Sequence, residues 1–332
     1  MKRASLSFVL LVAACSGNEP AYVGPLGDLG TSDTVDDSSA DAPGVTDADE
    51  VDAEPDVPPR PRRIIAIGDV HGDLNAARGA LRLAGAIDAD DQWVAGDLIV
   101  VQVGDQLDRG DDEREILDLF EVLREQATAA GGEFHPLLGN HEVMNVQLDL
   151  RYVFDGGWAD FSDIPYDEDD PELAPYEAEQ RGRVAAFRPG GPYAMLLSDH
   201  LVIHQIEGNV FVHGGVLPSL ANYGVDRVNA ETSAWMRGEA PEPTFLNSDD
   251  SPIWSRHFSD ETGPAECALL ADTLELLGAD RMIVAHTVQD GINSECDGQV
   301  WRVDVGLAAY YGGTNQVLEI VGNDVTPIAA AR

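Results

Sequence analysis

The hydrophobic positions of this chain come in short β-branched runs, each broken by a polar, glycine-bearing turn. Ile64 to Ile67 leads into Gly68-Asp69-Val70-His71-Gly72, and Ile99 to Val103 leads into Gly104-Asp105-Gln106-Leu107-Asp108-Arg109-Gly110. The shorter run Phe134 to Leu138 leads into Gly139-Asn140-His141-Glu142. Runs of this length bounded by turn residues read as buried strands. Between them, Leu74 to Ala86 has the spacing of a helix. Asp112 to Ala130 is strongly amphipathic, with Ile116, Leu119, Phe120 and Leu123 on one face and Gly131-Gly132 as its stop. The order β, α, β, α, β predicts an α/β fold.

The second half is patterned differently. Asp149 to Asp199 is irregular and acidic, with Trp158, Tyr166 and Pro189-Gly190-Gly191, and reads as a mostly helical insertion near the mouth of a site. Leu201 to Ile206 and Asn209 to Val212 read as strands, the second ending in His213-Gly214-Gly215. Pro264 to Leu277 reads as a helix with proline in its first turn and Leu270, Leu274 and Leu277 on its face. Met282 to Ala285 is a strand closed by His286-Thr287, and Gln299 to Asp304 and Gln316 to Val321 are late strands. Strands that follow one another here without long helices predict a second sheet, packed face to face on the first. No internal repeat is visible.

Composition adds the two ends of the picture. With 332 residues, 44% of them hydrophobic, the chain can build a full core. Its formal charge of -40, from 60 acidic and 20 basic residues, excludes nucleic acid as a partner, because a phosphate backbone needs Lys and Arg to replace its counterions. Phosphate chemistry in such a chain must rest on metal ions and a few placed arginines. At the start, Lys2 and Arg3 precede the apolar run Leu6 to Val12, too short to span a bilayer, and then Val12-Ala13-Ala14-Cys15. This ending resembles the lipobox of bacterial lipoproteins. The resemblance implies a signal peptide over residues 1–14, a lipid on Cys15 and a place in the bacterial cell envelope. Ser16 gives no retention signal of the Asp type, which points to the outer membrane. Ser16 to Pro59 holds 12 acidic residues and no Lys or Arg, and reads as a disordered acidic linker, residues 15–59, ahead of a folded domain over 60–332.

Loops at the C-terminal ends of strands in an α/β sheet are where ligands gather. Asp69, His71, Asp105 and Asn140 stand in three such loops, and mixed carboxylate, imidazole and amide donors suit manganese, iron or zinc. Any one of these residues alone reads as a turn, a cap or a satisfied polar group. It is their order along the chain that carries meaning.

Gly-Asp-x-His-Gly, Gly-Asp-x-x-Asp-Arg-Gly, Gly-Asn-His-Glu, His-Gly-Gly and a late His-Thr, taken in this order over roughly residues 63 to 322, resemble the phosphoprotein phosphatase branch of the calcineurin-like metallophosphoesterases. Pro252-Ile253-Trp254-Ser255-Arg256 and Val300-Trp301-Arg302-Val303-Asp304-Val305-Gly306 are similar to its Shewanella-like bacterial subgroup. Ala285 stands where that family usually has glycine, which implies a small packing difference beside a retained ligand.

The resemblance implies a four-layer α/β/β/α sandwich of two mixed sheets flanked by helices. It implies two divalent metal ions, Mn2+ with Fe or Zn as alternatives, the first held by Asp69, His71 and Asp105, the second by Asp105, Asn140, His213 and His286. His141 is then the acid that protonates the leaving oxygen, oriented by Asp108, while Arg109 and Arg256 bind phosphate. The implied reaction is hydrolysis of phosphate monoesters by metal-activated water, on phosphoserine, phosphothreonine or phosphotyrosine of a protein or on a small phosphoester. Hydrolysis of bis(5'-nucleosyl) tetraphosphates stays open as a second activity, and a catalytically weak surface binding lipoprotein as a third reading. His135, His200, His204 and His257 lack motif support and read as structural. Tyr310 and Tyr311 fall where the family has loops near the site. Cys267 shares a helix face with Leu270 and Leu274, which favours a buried thiol, whereas an even pair with Cys296 in an oxidising envelope allows a disulfide. Oligomeric state is left open.

Overall fold

The computed structural model describes residues 61–330. The signal peptide, the lipid on Cys15 and the acidic linker expected from the sequence lie outside the described residues. Two five-stranded mixed sheets form the centre. The first has the order β10-β9-β1-β2-β3, built from β1 (Arg63–Ile67), β2 (Ile99–Gln102), β3 (Glu133–Pro136), β9 (Gln316–Val321) and β10 (Asp324–Ala329). The second has the order β4-β5-β6-β8-β7, from β4 (Ile203–Ile206), β5 (Asn209–Val212), β6 (Arg281–Val284), β7 (Asn293–Glu295) and β8 (Val300–Arg302). β1, β2 and β3 run parallel, as do β5, β6 and β8, while β9 pairs antiparallel with both β1 and β10, and the edge strands β4 and β7 pair antiparallel with β5 and β8.

The continuous apolar runs follow from burial on both faces. With a side-chain period of two, Ile64 and Ala66 of β1 and Ile99 and Val101 of β2 point between the sheets. They meet Phe211 of β5, Ile283 of β6 and Ile320 of β9 there. Ile65, Ile67 and Val100 point the other way, onto α1 (Leu74–Leu83) and α2 (Glu113–Ala130) through Ala77, Leu81, Ile116, Phe120 and Leu123. α2 ends where the sequence predicts, at Gly131 with φ 86°.

The outer face of the second sheet is covered by α5 (Ala178–Phe187), α6 (Pro192–Leu197), α7 (Pro218–Tyr223), α8 (Val225–Met236) and α9 (Pro264–Leu277). Phe187, Trp235, Met236, Leu270 and Leu274 from these helices pack with Val210, Met282 and Val284. The layers are those expected, with one correction. The strands of the second half are not free of helices, since α7 and the 12-residue α8 stand between β5 and β6. The Asp149 to Asp199 stretch contains α4 (Asp155–Asp160), α5 and α6. Of the two readings left open for Cys267, the structure shows the disulfide: the residue is half-buried, not a core thiol, and is bonded to Cys296 with a Cα–Cα distance of 5.3 Å. Among the described residues no helix is long and apolar enough to cross a membrane.

Candidate active site

Six parallel strands end on one chemistry. The loops after β1, β2, β3, β5, β6 and β8 carry Asp69 and His71, Asp105 to Arg109, Asn140 and His141, His213, His286, and Asp304. Three of these loops hold residues with left-handed backbone: His71 (φ 41°), Asp105 (57°), Asp108 and Arg109 (both 65°) and His286 (68°). Each such residue costs of order 1–3 kcal/mol, tolerated where the surroundings over-determine it. Glu142 does much of that work here. Its carboxylate accepts from the backbone N–H of Asp105 (2.9 Å), Gln106 (2.8 Å), Leu107 (3.1 Å) and Gly139 (2.7 Å), tying the β2 loop to the start of α3 (Asn140–Val146). At Gly104, with φ 88°, an added Cβ would lie 2.6 Å from Gly139 N and 2.9 Å from His213 Nδ1, so only glycine lets the two loops close up.

The imidazoles are aimed by their other ring nitrogen. His71 Nδ1 lies 3.0 Å from Leu107 O, and His213 Nδ1 lies 2.8 Å from Val103 O. A donated Nδ1–H aims each Nε2 at the centre. His71 Nε2 is 3.7 Å from both Asp69 Oδ2 and Asp105 Oδ2. His213 Nε2 is 3.2 Å from Asp105 Oδ2 and 3.1 Å from Asn140 Oδ1. Two donor clusters result, His71–Asp105–His141 and Asp105–His213–His286, each with its atoms within 4.8 Å of one another. Asp105 belongs to both. Asp69 Oδ1 and His286 Nε2 are buried with no hydrogen-bond partner. Lone pairs left unmatched in a ring of nitrogen and oxygen donors are what a cation would satisfy, so the residues fit a two-metal centre.

The electrostatics agree. Burial alone would raise the Asp105 pKa, but the imidazoles of His213, His141 and His71 hold it well below the usual carboxylate range. Burial lowers His71 to about 4 and His286 to about 2, so both are neutral and ready as ligands. Burial also pushes Asp69 well above its usual range, with Asp304 and Asp105 adding to the rise. Asp304 is pushed up to about 6 mainly by burial and accepts from Gly306 N–H at 2.9 Å. It stands against the Asp69 loop, where a Cβ on Gly68 would lie 2.9 Å from Asp304 Cα, a position its motif gave no role.

Beside the clusters, His141 Nδ1 lies 2.5 Å from Asp108 Oδ2. Its Nε2 faces the centre, 3.9 Å from Asp105 Oδ2 and 3.3 Å from Arg109 Nη2. Burial lowers the His141 pKa, but Asp105 and Asp108 outweigh it and the net shift is upward. The Arg109 guanidinium sits among Tyr152, Tyr311 and Tyr310, 4.8, 5.3 and 5.5 Å from their ring centres, and bonds the Tyr311 hydroxyl. Arg256 is exposed and anchored to the His286 loop, donating to Thr287 Oγ1 at 2.6 Å and His286 O at 3.3 Å. All ten residues singled out for the site thus stand at or beside one centre. Ala285, the departure from the family pattern, is buried and its N–H donates to His213 O at 2.8 Å. The four other histidines have structural partners: His135 meets Glu133 and packs at a tilt against His204, His200 meets Glu121, and His257 meets Asp250.

Residues 62–290 match the family described as calcineurin-like phosphoesterase. Over 295 residues the chain is 38% identical to Shewanella-like protein phosphatase 2 of Arabidopsis thaliana, covering 79% of this chain and 75% of that one. It is 25% identical to Shewanella-like protein phosphatase 1 of Plasmodium berghei, over 75% of this chain and 68% of the relative. Among solved structures it is similar to a cold-active protein tyrosine phosphatase, with a TM-score of 0.66 and 25% identity over 80% of this chain and 76% of that chain. The loops that carry Asp69 to His286 lie inside residues 62–290, and the chain belongs to the calcineurin-like phosphoesterase family.

Proposed function

We propose that this protein is a two-metal phosphatase that hydrolyses phosphate monoesters on proteins, with phosphotyrosine as the preferred group. The observation that carries the reaction class is Asp105, common to two ligand clusters, with the His141–Asp108 pair alongside. Asp69, His71 and Asp105 would hold one divalent cation and Asp105, Asn140, His213 and His286 the other. Such a pair lowers the pKa of water and neutralises phosphoryl oxygens. Manganese is the cation proposed, with iron or zinc as substitutes.

The chain's own side chains divide the remaining work. Arg109 presents a planar fork to the phosphoryl oxygens, and releasing the Tyr311 hydroxyl frees it to do so. His141 Nε2, 3.3 Å from that guanidinium, meets the ester oxygen of the same phosphate and donates its proton as the bond breaks. Asp108 accepts the Nδ1–H and holds the ring charged for that step. Arg256 adds a second cation on the His286 side.

Support for an aryl ester comes from the rim. Tyr152, Phe154 and Tyr310 are 37%, 40% and 56% exposed around Arg109, where soluble proteins normally cover aromatic rings. A phenyl ring placed among them would gain both burial and edge contacts. The comparison with a protein tyrosine phosphatase structure supports the same choice. We place the protein in the bacterial envelope, anchored by a lipid on Cys15, on the strength of its first 15 residues. Radiolabelled palmitate incorporation that is lost in Cys15→Ser tests that placement.

For the activity, the metal-stripped protein is given manganese and assayed on p-nitrophenyl phosphate, then on matched phosphotyrosine and phosphoserine peptides. Manganese-dependent turnover, higher kcat/KM on phosphotyrosine and loss of turnover in His141→Ala are expected. A folded, metal-loaded protein inert on every monoester would refute the proposal, and cleavage of diadenosine tetraphosphate alone would redirect it to the nucleotide.

A further inference from the structure

The stretch between α3 and β4 sends one charged side chain into the interior. Arg183, on α5, is fully buried, and so are Glu113 at the start of α2 and Asn145 on α3. Arg183 Nη1 pairs with Glu113 Oε2 and donates to Gly157 O at 2.7 Å. Its Nη2 donates to Glu113 Oε1 at 3.1 Å and Asn145 Oδ1 at 2.8 Å, and its Nε to Asn145 Oδ1 at 3.1 Å. Phe161 and Phe187 cover the guanidinium, 5.1 and 4.9 Å from their ring centres. Every nitrogen is engaged, and none touches solvent or the metal ligands.

The far ends of these bonds meet at Asp108. Glu113 Oε1 accepts the Asp108 backbone N–H at 2.5 Å. Asn145 Nδ2 donates to Asp108 Oδ1 at 3.2 Å and to His141 O at 2.9 Å, and Arg183 Nη2 lies 3.6 Å from Asp108 Oδ1. One carboxylate oxygen of Asp108 is thereby held from behind, and the other is left facing His141 Nδ1. As a source of stability such a buried pair is poor, because desolvation offsets the attraction. As a geometric clamp on a left-handed residue it is well made.

We propose that Arg183 and Glu113 are positioning residues. Through Asn145 they lock the Asp108 carboxylate onto His141 Nδ1, so that Nε2 points at the leaving oxygen. The inference rests on the phosphatase reading above for its kinetic consequence, though not for its geometry.

The test uses the full chain with Arg183→Lys, which keeps the charge and loses the fork. A second variant, Glu113→Gln with Arg183→Met, removes both charges at similar bulk, and carries the same test should the lysine variant fail to fold. Among variants with wild-type melting temperature, kcat falls roughly 10- to 100-fold, the range for partners acting through another side chain. KM stays unchanged, since neither residue reaches the substrate. The loss is larger on phenyl phosphate than on p-nitrophenyl phosphate, because a poorer leaving group needs the proton more. In an Asp108→Asn background, Arg183→Lys adds little, the non-additivity expected of one linked unit.

A metal-free readout stands beside these. The low-field proton resonance of His141 Nδ1–H, assigned by its absence in His141→Gln, broadens through faster solvent exchange in the variants. Folded variants with wild-type kcat on both esters and an unchanged resonance would overturn the inference. A wild-type chain without turnover sinks the phosphatase reading alone, and the resonance then decides whether the clamp exists.

Discussion

Reducing the Cys267–Cys296 bond should destabilise the domain by an amount set by the loop it closes. The two residues are 29 apart in sequence, with the remainder of α9, β6 and β7 between them. Cross-linking a loop of that size removes chain entropy from the unfolded ensemble worth about 3.6 kcal/mol at 25 °C. With a urea m-value of about 3 kcal/mol per molar, the midpoint shifts by about 1.2 M. Tryptophan fluorescence in urea, with and without a phosphine reductant, reads the shift directly, and Cys267→Ser/Cys296→Ser should reproduce it while no longer responding to reductant. Because the effect lies in the unfolded chain, metal affinity and the native spectrum should not change on reduction. Coincident midpoints for oxidised and reduced protein would refute the reasoning, and so would a reductant response that persists in the double serine variant.

Other outcomes follow from the site. His141→Asn should lower kcat by about 10²–10⁴, the usual worth of a placed proton donor, with metal content by elemental analysis unchanged. Burial lowers the His213 pKa but Asp105 outweighs it and the net shift is upward, so a proton on the metal-free ring competes with a cation for Nε2. Metal uptake should therefore release a proton, and affinity should rise as pH increases through that raised pKa; calorimetry in buffers of different ionisation enthalpy counts the proton, and a buffer-independent heat would contradict the assignment. Gly104→Ala forces a Cβ against Gly139 N and His213 Nδ1 in left-handed backbone, and should cost at least about 1–3 kcal/mol in chemical unfolding together with weakened metal binding.

What the sequence made legible was the chemistry at strand ends. Ile64 to Ile67 and Ile99 to Val103 are buried on both faces, so their apolar runs are unbroken and the loops after them stand out. Elements with mixed patterning were hidden. α8 buries Val228, Thr232, Trp235 and Met236 among polar neighbours, β7 is three polar residues, and β10 is an exposed edge strand interrupted by Pro327. Arg183 stands in the polar segment Glu177 to Arg183 and looks like a surface residue. Its burial is decided by Glu113, 70 positions away, and no local pattern could announce that pairing. Asp304 was visible as a motif residue, yet its place against the Asp69 loop is defined only when β1 and β8 bring their ends together.

The left-handed backbone at His71, Asp105, Asp108, Arg109 and His286 has an evolutionary consequence. Glycine at any of these positions would relieve conformational strain and make a sturdier domain, while deleting a side chain the centre depends on. Selection for robustness and selection for activity therefore pull in opposite directions at the same five residues. A drift variant freed from catalysis should lose them first, gaining heat tolerance as it goes, so that enhanced stability in a relative lacking these side chains would mark a retired enzyme rather than an improved one.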